Sequence, residues 1–186
     1  MQRIHELLTG TSETTAYRVA GMLLLLYAQP LVRIVALPHT TIADTAPGYE
    51  TPESSTDANT ATASKEMTIR LGAAPIDVPE PFATLIRTHL DARPNLRTGA
   101  GTDSPWLFPG GRAGQHLHPN TVMIRLRELG IDLLGARNRA LGELVLDCPP
   151  SLVAQTLGCS PQMAFLHANK AAQTWARYTG RRLRSP

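Results

Sequence analysis

Cysteine is scarce in this chain: Cys148 and Cys159 are the only two among its 186 residues. Two cysteines build no disulfide framework, and without a Cys-x-x-Cys spacing they build no zinc site. A reduced, cytoplasmic setting fits that scarcity. Aromatic residues make up only 5% of the chain, so its core must rest on Leu, Val, Ile and Ala. Long apolar runs are missing too. The run from Val19 to Tyr27 meets Gln29, Pro30 and Arg33 well short of the roughly 20 residues that span a bilayer. Residues 1–10 lack the apolar stretch and cleavage signal of a secretory leader. The expectation is a protein with neither a leader nor a membrane segment.

What is present suits one packed domain over residues 1–186, with 42% hydrophobic residues and a length short for two domains. The net charge of +3 is modest, but its distribution is uneven. Residues 1–96 carry 7 Lys and Arg against 10 Asp and Glu; residues 97–186 carry 11 against 5. A basic C-terminal half suits phosphate, and double-stranded DNA is the partner it points to.

Hydrophobic patterning predicts a mostly helical α+β domain. Residues 16–28 are apolar almost all round, as in a buried helix, with Ser12 or Thr14 to cap its start and Pro30 to end it. Residues 31–37 read as another helical turn entering a strand near 36–42. Residues 43–64 are Thr, Ser, Ala, Pro and acid, with Tyr49 their only large apolar side chain, and read as a disordered insertion within a hairpin. Residues 67–71 alternate as a half-buried strand, 72–75 turn, and 76–78 return. Helices are predicted at 82–90, 121–129, 133–147, 151–157 and 161–178. In the second of these Asn120 is the expected N-cap, Gly130 ends the helix, and Ile124 is expected to face inward with Val122, Leu126 and Leu129.

Several segments resemble a known family in their order. Residues 23–37 read LLLLYAQPLVRIVAL. Trp106-Leu107-Phe108-Pro109 follows the predicted sheet and a loop. Val153 to Gly158 is a Val-x-x-x-Leu-Gly run, and Trp175-Ala176-Arg177-Tyr178 closes the last helix. Together, over roughly residues 15–180, they resemble the catalytic domain of tyrosine recombinases, the phage integrase family. The resemblance implies a helical bundle with a small antiparallel β-sheet, DNA strand cleavage and rejoining, and no metal or cofactor. It implies a Tyr nucleophile, two Arg and a His or Trp on the phosphate, and a Lys as acid. Arg suits that role because its planar fork binds two phosphate oxygens at once.

Most of those positions are changed here. The first Arg falls at Pro30, and Arg33 lies one helical turn on. The turn 72–75 holds no Lys, and Lys65 lies at the far end of its strand. The His-x-x-Arg block becomes Ala136-Arg137-Asn138-Arg139, keeping Arg137 or Arg139 without the His. The later His is replaced by Cys159, which reads as a small buried residue. Tyr178 comes nineteen residues beyond Cys159, where the family's spacing is about ten. His167 reads as a helix-surface residue, and His116 with His118 as loop residues with no third metal ligand. Removing one charge-stabilising donor costs on the order of 10²–10³ in rate, so the resemblance implies DNA affinity more than catalysis.

Four readings follow. The first is a DNA-binding protein that keeps the recombinase fold with cleavage lost or feeble, alone on DNA or beside a partner recombinase. Its phosphate-facing set is Arg125, Arg127, Arg137, Arg139, Arg177, Arg181 and Arg182. The second is a helix-turn-helix transcriptional regulator, from the Ala154-x-x-x-Gly158 spacing and the helix after it. The third is a small active recombinase using Arg33, Arg137 or Arg139, and Tyr178. The fourth is an interaction module that does not bind DNA, with the basic half as solvated surface.

Overall fold

The computed structural model describes residues 2–10, 13–45, 66–92, 104–112 and 114–182, and of residues 2, 45 and 173–182 the backbone alone. The described elements are, in order, α1 (Gln2–Thr9), α2 (Thr15–Tyr27), α3 (Leu31–Val35), a short 3-10 turn at His39–Thr41, β1 (Ile42–Thr45), β2 (Glu66–Arg70), β3 (Pro75–Val78), α4 (Glu80–Asp91), α5 (Pro119–Glu128), α6 (Leu133–Asp147), α7 (Pro150–Leu157) and α8 (Pro161–Arg182). The architecture is mostly α, with one three-stranded antiparallel sheet in the order β1-β2-β3.

Helix α2 is the hub because nearly every face of it is apolar. It packs against α1, α3, α4, α5 and α6, and Val19, Met22, Leu23 and Leu24 are fully buried. Each such side chain contributes about 1.5–3 kcal/mol relative to exposure. The helices and strands share one hydrophobic core, in which Ile34, Met67, Ile69, Phe82, Ile86, Leu126 and Leu141 join α2. In the sheet, Met67 pairs with Val78 and Ile69 with Ile76, so alternate residues of β2 face the core, as the period of two requires.

The Leu-Phe-Pro segment is an anchor. Leu107 is 0% and Phe108 1% exposed. The buried ring of His89 on α4 stacks on Phe108, with centroids 5.3 Å apart. Its Nε2 lies 2.9 Å from the Leu107 carbonyl, which only accepts, so Nε2 carries the proton and Nδ1 accepts from the Thr15 hydroxyl at 3.2 Å.

Several expectations need correction. Helix α1 has no counterpart in the sequence reading. The strand expected near 36–42 starts only at Ile42, because Leu31–Val35 is helical and a 3-10 turn follows. Strand β1 therefore takes residues 43–45 from the expected insertion; residues 46–65, with Lys65, lie outside the described residues. The cap of α5 is His118, whose Nδ1 accepts from the Asn120 amide at 3.2 Å, since Pro119 moves the helix start forward. Ile124 is 47% exposed, because Val122 and Leu126 already occupy the inward stripe. His167 is 8% exposed, buried on the face that α8 turns to its neighbours with Ala164.

Candidate functional site

Four pieces of chain meet at one cavity of about 260 Å³: the end of α2, the start of α3, the first turns of α6, and the α7–α8 junction. Pro30, Arg33, Arg137, Gly158, Cys159 and Ser160 are among its lining residues. Of the residues singled out in the sequence, Pro30, Arg33, Arg137 and Cys159 are thus brought together.

Local rules explain the geometry. Helix α2 ends at Ala28 in the left-handed region (φ 52°), an uncommon conformation for a residue with a Cβ. Arg137 supports that end: its Nε donates to the Ala28 carbonyl at 2.9 Å. Helix α7 ends at Gly158 (φ 63°), where an added Cβ would lie 2.7 Å from Nη2 of Arg33. Glycine is required there by both conformation and space. Arg33 spans this junction. Its Nη1 donates to the carbonyls of Leu157 at 3.2 Å and Gly158 at 2.7 Å, and its Nη2 to Leu71 at 2.8 Å. The buried Gln29 amide adds a bond to Leu157 at 3.0 Å. The β2–β3 turn is held to the same helix end: the Ala73 amide donates to the Gln155 carbonyl at 2.8 Å. A Cβ on Gly72 would run into the backbone of Gln155, Thr156 and Gly158.

The chemistry of the cavity is cationic and poor in bases. Burial pushes the Cys159 thiol up, only partly opposed by a backbone hydrogen bond and the charges of Arg137 and Arg33. A protonated thiol neither stabilises a phosphate charge nor attacks one. The Ser160 hydroxyl accepts from the Met163 amide at 3.3 Å. Arg33 is committed to three carbonyls, whereas the terminal nitrogens of Arg137 make no hydrogen bond among the described residues.

Arg139 does not join them. Two residues along a helix rotate the side chain by about 200°, and Arg139 lines a separate open groove between α6 and α8 with Glu143, Leu146, His167 and Lys170. Burial and the charges of Lys170 and Arg137 hold the His167 imidazole below its usual value. Of the remaining phosphate-facing candidates, Arg125 pairs with Glu128 at 2.9 Å, and Arg127 is exposed with no ion pair among the described residues. Arg177, Tyr178, Arg181 and Arg182 belong to the backbone of α8, and their side chains lie outside the described residues. His116 and His118 serve the loop and the α5 cap, and no described cluster of His, Cys, Asp and Glu could hold a metal.

The sequence reading missed Gln29, Gly72 and Gly158 as parts of this site. The signal for Gly158 was its place one residue past an apolar helix. Nothing local marked Gln29 or Gly72 as parts of the site, because the contacts that tie them to α7, Gln29 to Leu157 and Gly72 to Gln155, span more than 80 residues. A second cavity, of about 230 Å³, lies beside α1 and includes Arg3, Leu7, Glu13 and Ile131; Arg3 there is paired with Glu6 at 2.7 Å. No described helix is long and apolar enough to cross a membrane. No protein-family model, curated protein or solved structure matches the chain.

Proposed function

We propose that this chain is a DNA-binding protein of the tyrosine recombinase type, acting in the cytoplasm, in which strand cleavage has been lost. The observation that carries the reading is the single cavity lined by Pro30, Arg33, Arg137 and Cys159. The resemblance assigns the phosphate-binding positions to Pro30, with Arg33 one turn away, to Arg137 or Arg139, and to Cys159, and of the two candidate arginines Arg137 is the one that lines this cavity. Loss of cleavage is supported by what each residue is. Pro30 carries no charge, Arg33 is spent on carbonyls, Cys159 stays protonated, and the docked turn at Gly72 holds no Lys. Arg137 and the outward Arg127 and Arg139 remain to hold the DNA backbone, alone or beside a recombinase partner on the same duplex. No metal or cofactor is needed for this role.

A gel experiment separates binding from cleavage. Duplex DNA should be retarded under native conditions, and no adduct should survive denaturation. A denaturation-resistant adduct that Tyr178→Phe abolishes would replace this reading with an active recombinase. The helix-turn-helix reading has one observation in its favour, the left-handed Gly158 between α7 and α8 with Ala154 buried beside it. It requires exposed Gln162 to touch bases, so Gln162→Ala would then change sequence preference.

A further inference from the structure

We propose that the groove between α6 and α8 is a phosphate-binding site, in which the His167 imidazole donates to the anion beside Arg139 and Lys170. The site is separate from the cavity around Cys159. It stands on the groove's own residues, whether the phosphate belongs to a DNA backbone or to a free phosphate.

Helical spacing builds the groove. Arg139 and Glu143 lie one turn apart on a face of α6, and His167 and Lys170 one turn apart on a face of α8. The two faces border an open space of about 310 Å³, in which Gly142 and Ala171 are the small residues.

The decisive residue is His167. Three polar side chains are buried among the described residues: Gln29, His89 and His167. Gln29 donates to the Tyr27 and Leu157 carbonyls, and both ring nitrogens of His89 are matched, by Thr15 and by Leu107. His167 is 8% exposed, yet its ring makes no hydrogen bond among the described residues. Buried polar groups are ordinarily matched. The His167 nitrogens are not sealed in the core, and the groove is where they open. The fold leaves this ring for a partner that enters the groove.

The charges name the partner. Glu143 is the one carboxylate among the lining residues, facing the two cations Arg139 and Lys170. Burial and the charges of Lys170 and Arg137 hold the imidazole below its usual value. At neutral pH the ring therefore keeps a single N–H, which adds a donor without adding to the repulsion between the cations. Donors on two helices approach an anion from different sides, which suits the several oxygens of a phosphate.

A bound anion offsets the positive charges around the ring and favours the imidazolium. Binding then takes up a proton and tightens as pH falls. The groups that face the ring are Arg137, Arg139 and Glu143 from α6 and Lys170 on α8 itself; α7 carries no charged residue, and the Cys159 thiol stays protonated.

The test is an NMR titration of the His167 ring in the intact chain, its signal assigned with His167→Gln. Sulfate stands in for free phosphate because it does not titrate near neutrality, a mixed-sequence duplex supplies phosphodiesters, and sodium chloride at equal ionic strength is the control. Sulfate or the duplex should raise the His167 midpoint by about one pH unit over chloride, and Arg139→Gln should abolish the rise with an unchanged melting temperature. A rise with the duplex assigns the phosphate to the DNA backbone, and a rise with sulfate alone assigns it to a free phosphate. The same midpoint in all three would overturn the site, as would a rise that persists in Arg139→Gln. A duplex that does not bind at all would remove the DNA reading and leave the sulfate arm to decide this one.

Discussion

Two groups of arginines share this protein, and they do different work. Arg18, Arg33 and Arg137 point at the C-terminal ends of helices. Arg18 donates to the Leu7 and Leu8 carbonyls of α1, Arg33 to the end of α7, and Arg137 to the end of α2. The last carbonyls of a helix have no partner within it and sit at the negative end of its dipole, so a guanidinium there satisfies both needs. Arg112, Arg127 and Arg139 are exposed and make no ion pair or side-chain hydrogen bond among the described residues. An arginine near a phosphate-binding position is not thereby available to phosphate. The hydrogen bonds it already makes decide.

The comparison breaks most visibly at Arg33. Arg33→Ala leaves the Leu71, Leu157 and Gly158 carbonyls without their guanidinium, at a cost of about 2–3 kcal/mol for bonds to a charged group. In a chain of this length that lowers the melting temperature by about 4–12 °C. Arg33→Lys should recover less than half, since an ammonium cannot fork between β2 and α7. Thermal denaturation measures both, and a wild-type melt for Arg33→Ala would move Arg33 into the outward group.

Arg139 gives a smaller effect of the opposite kind. Arg139→Glu should leave stability within about 0.5 kcal/mol while weakening DNA binding and lowering the slope of affinity against salt by about 1. Arg137→Ala should lower the melting temperature and the affinity together. Arg139→Glu with unchanged DNA affinity would return the α6–α8 groove to ordinary surface.

His167 gives the smallest effect. Its folded-state pKa lies below the unfolded value of about 6.5. The folded protein therefore binds fewer protons than the unfolded chain as pH falls past that value, and stability present at neutral pH is lost on acidification. Melting temperatures at about pH 7.5 and pH 5.5 should differ less in His167→Gln than in the wild type. Equal differences would mean that His167 is not held neutral by the fold.

Much of the scaffold was legible because it is written in local pattern. The β2–β3 hairpin follows from alternation and the Gly72–Pro75 turn, and α6 from its apolar period and the prolines that follow it. Helix α1 carries Ile4, Leu7 and Leu8 at helical spacing, but over only 8 residues, and its end is satisfied by Arg18 from the next helix. The burial of His167 depends on α8 meeting its neighbours, which no window of sequence contains. At the site, the sequence pattern singled out Arg33, Arg137, Arg139 and Tyr178 and read Cys159 as a small buried residue; that Cys159 shares a cavity with Arg33 and Arg137 is seen in the fold. That Arg33 caps α7, and that Arg139 faces away from Arg137, required coordinates.

The most direct test of DNA binding is fluorescence anisotropy of mixed-sequence duplex DNA against the intact chain at about 50 and 200 mM salt. Six phosphate contacts predict an affinity loss on the order of 10³ across that range, through release of condensed counterions. Absence of binding at the lower salt, or affinity that does not change with salt, would contradict the account and leave the basic half of the chain as solvated surface.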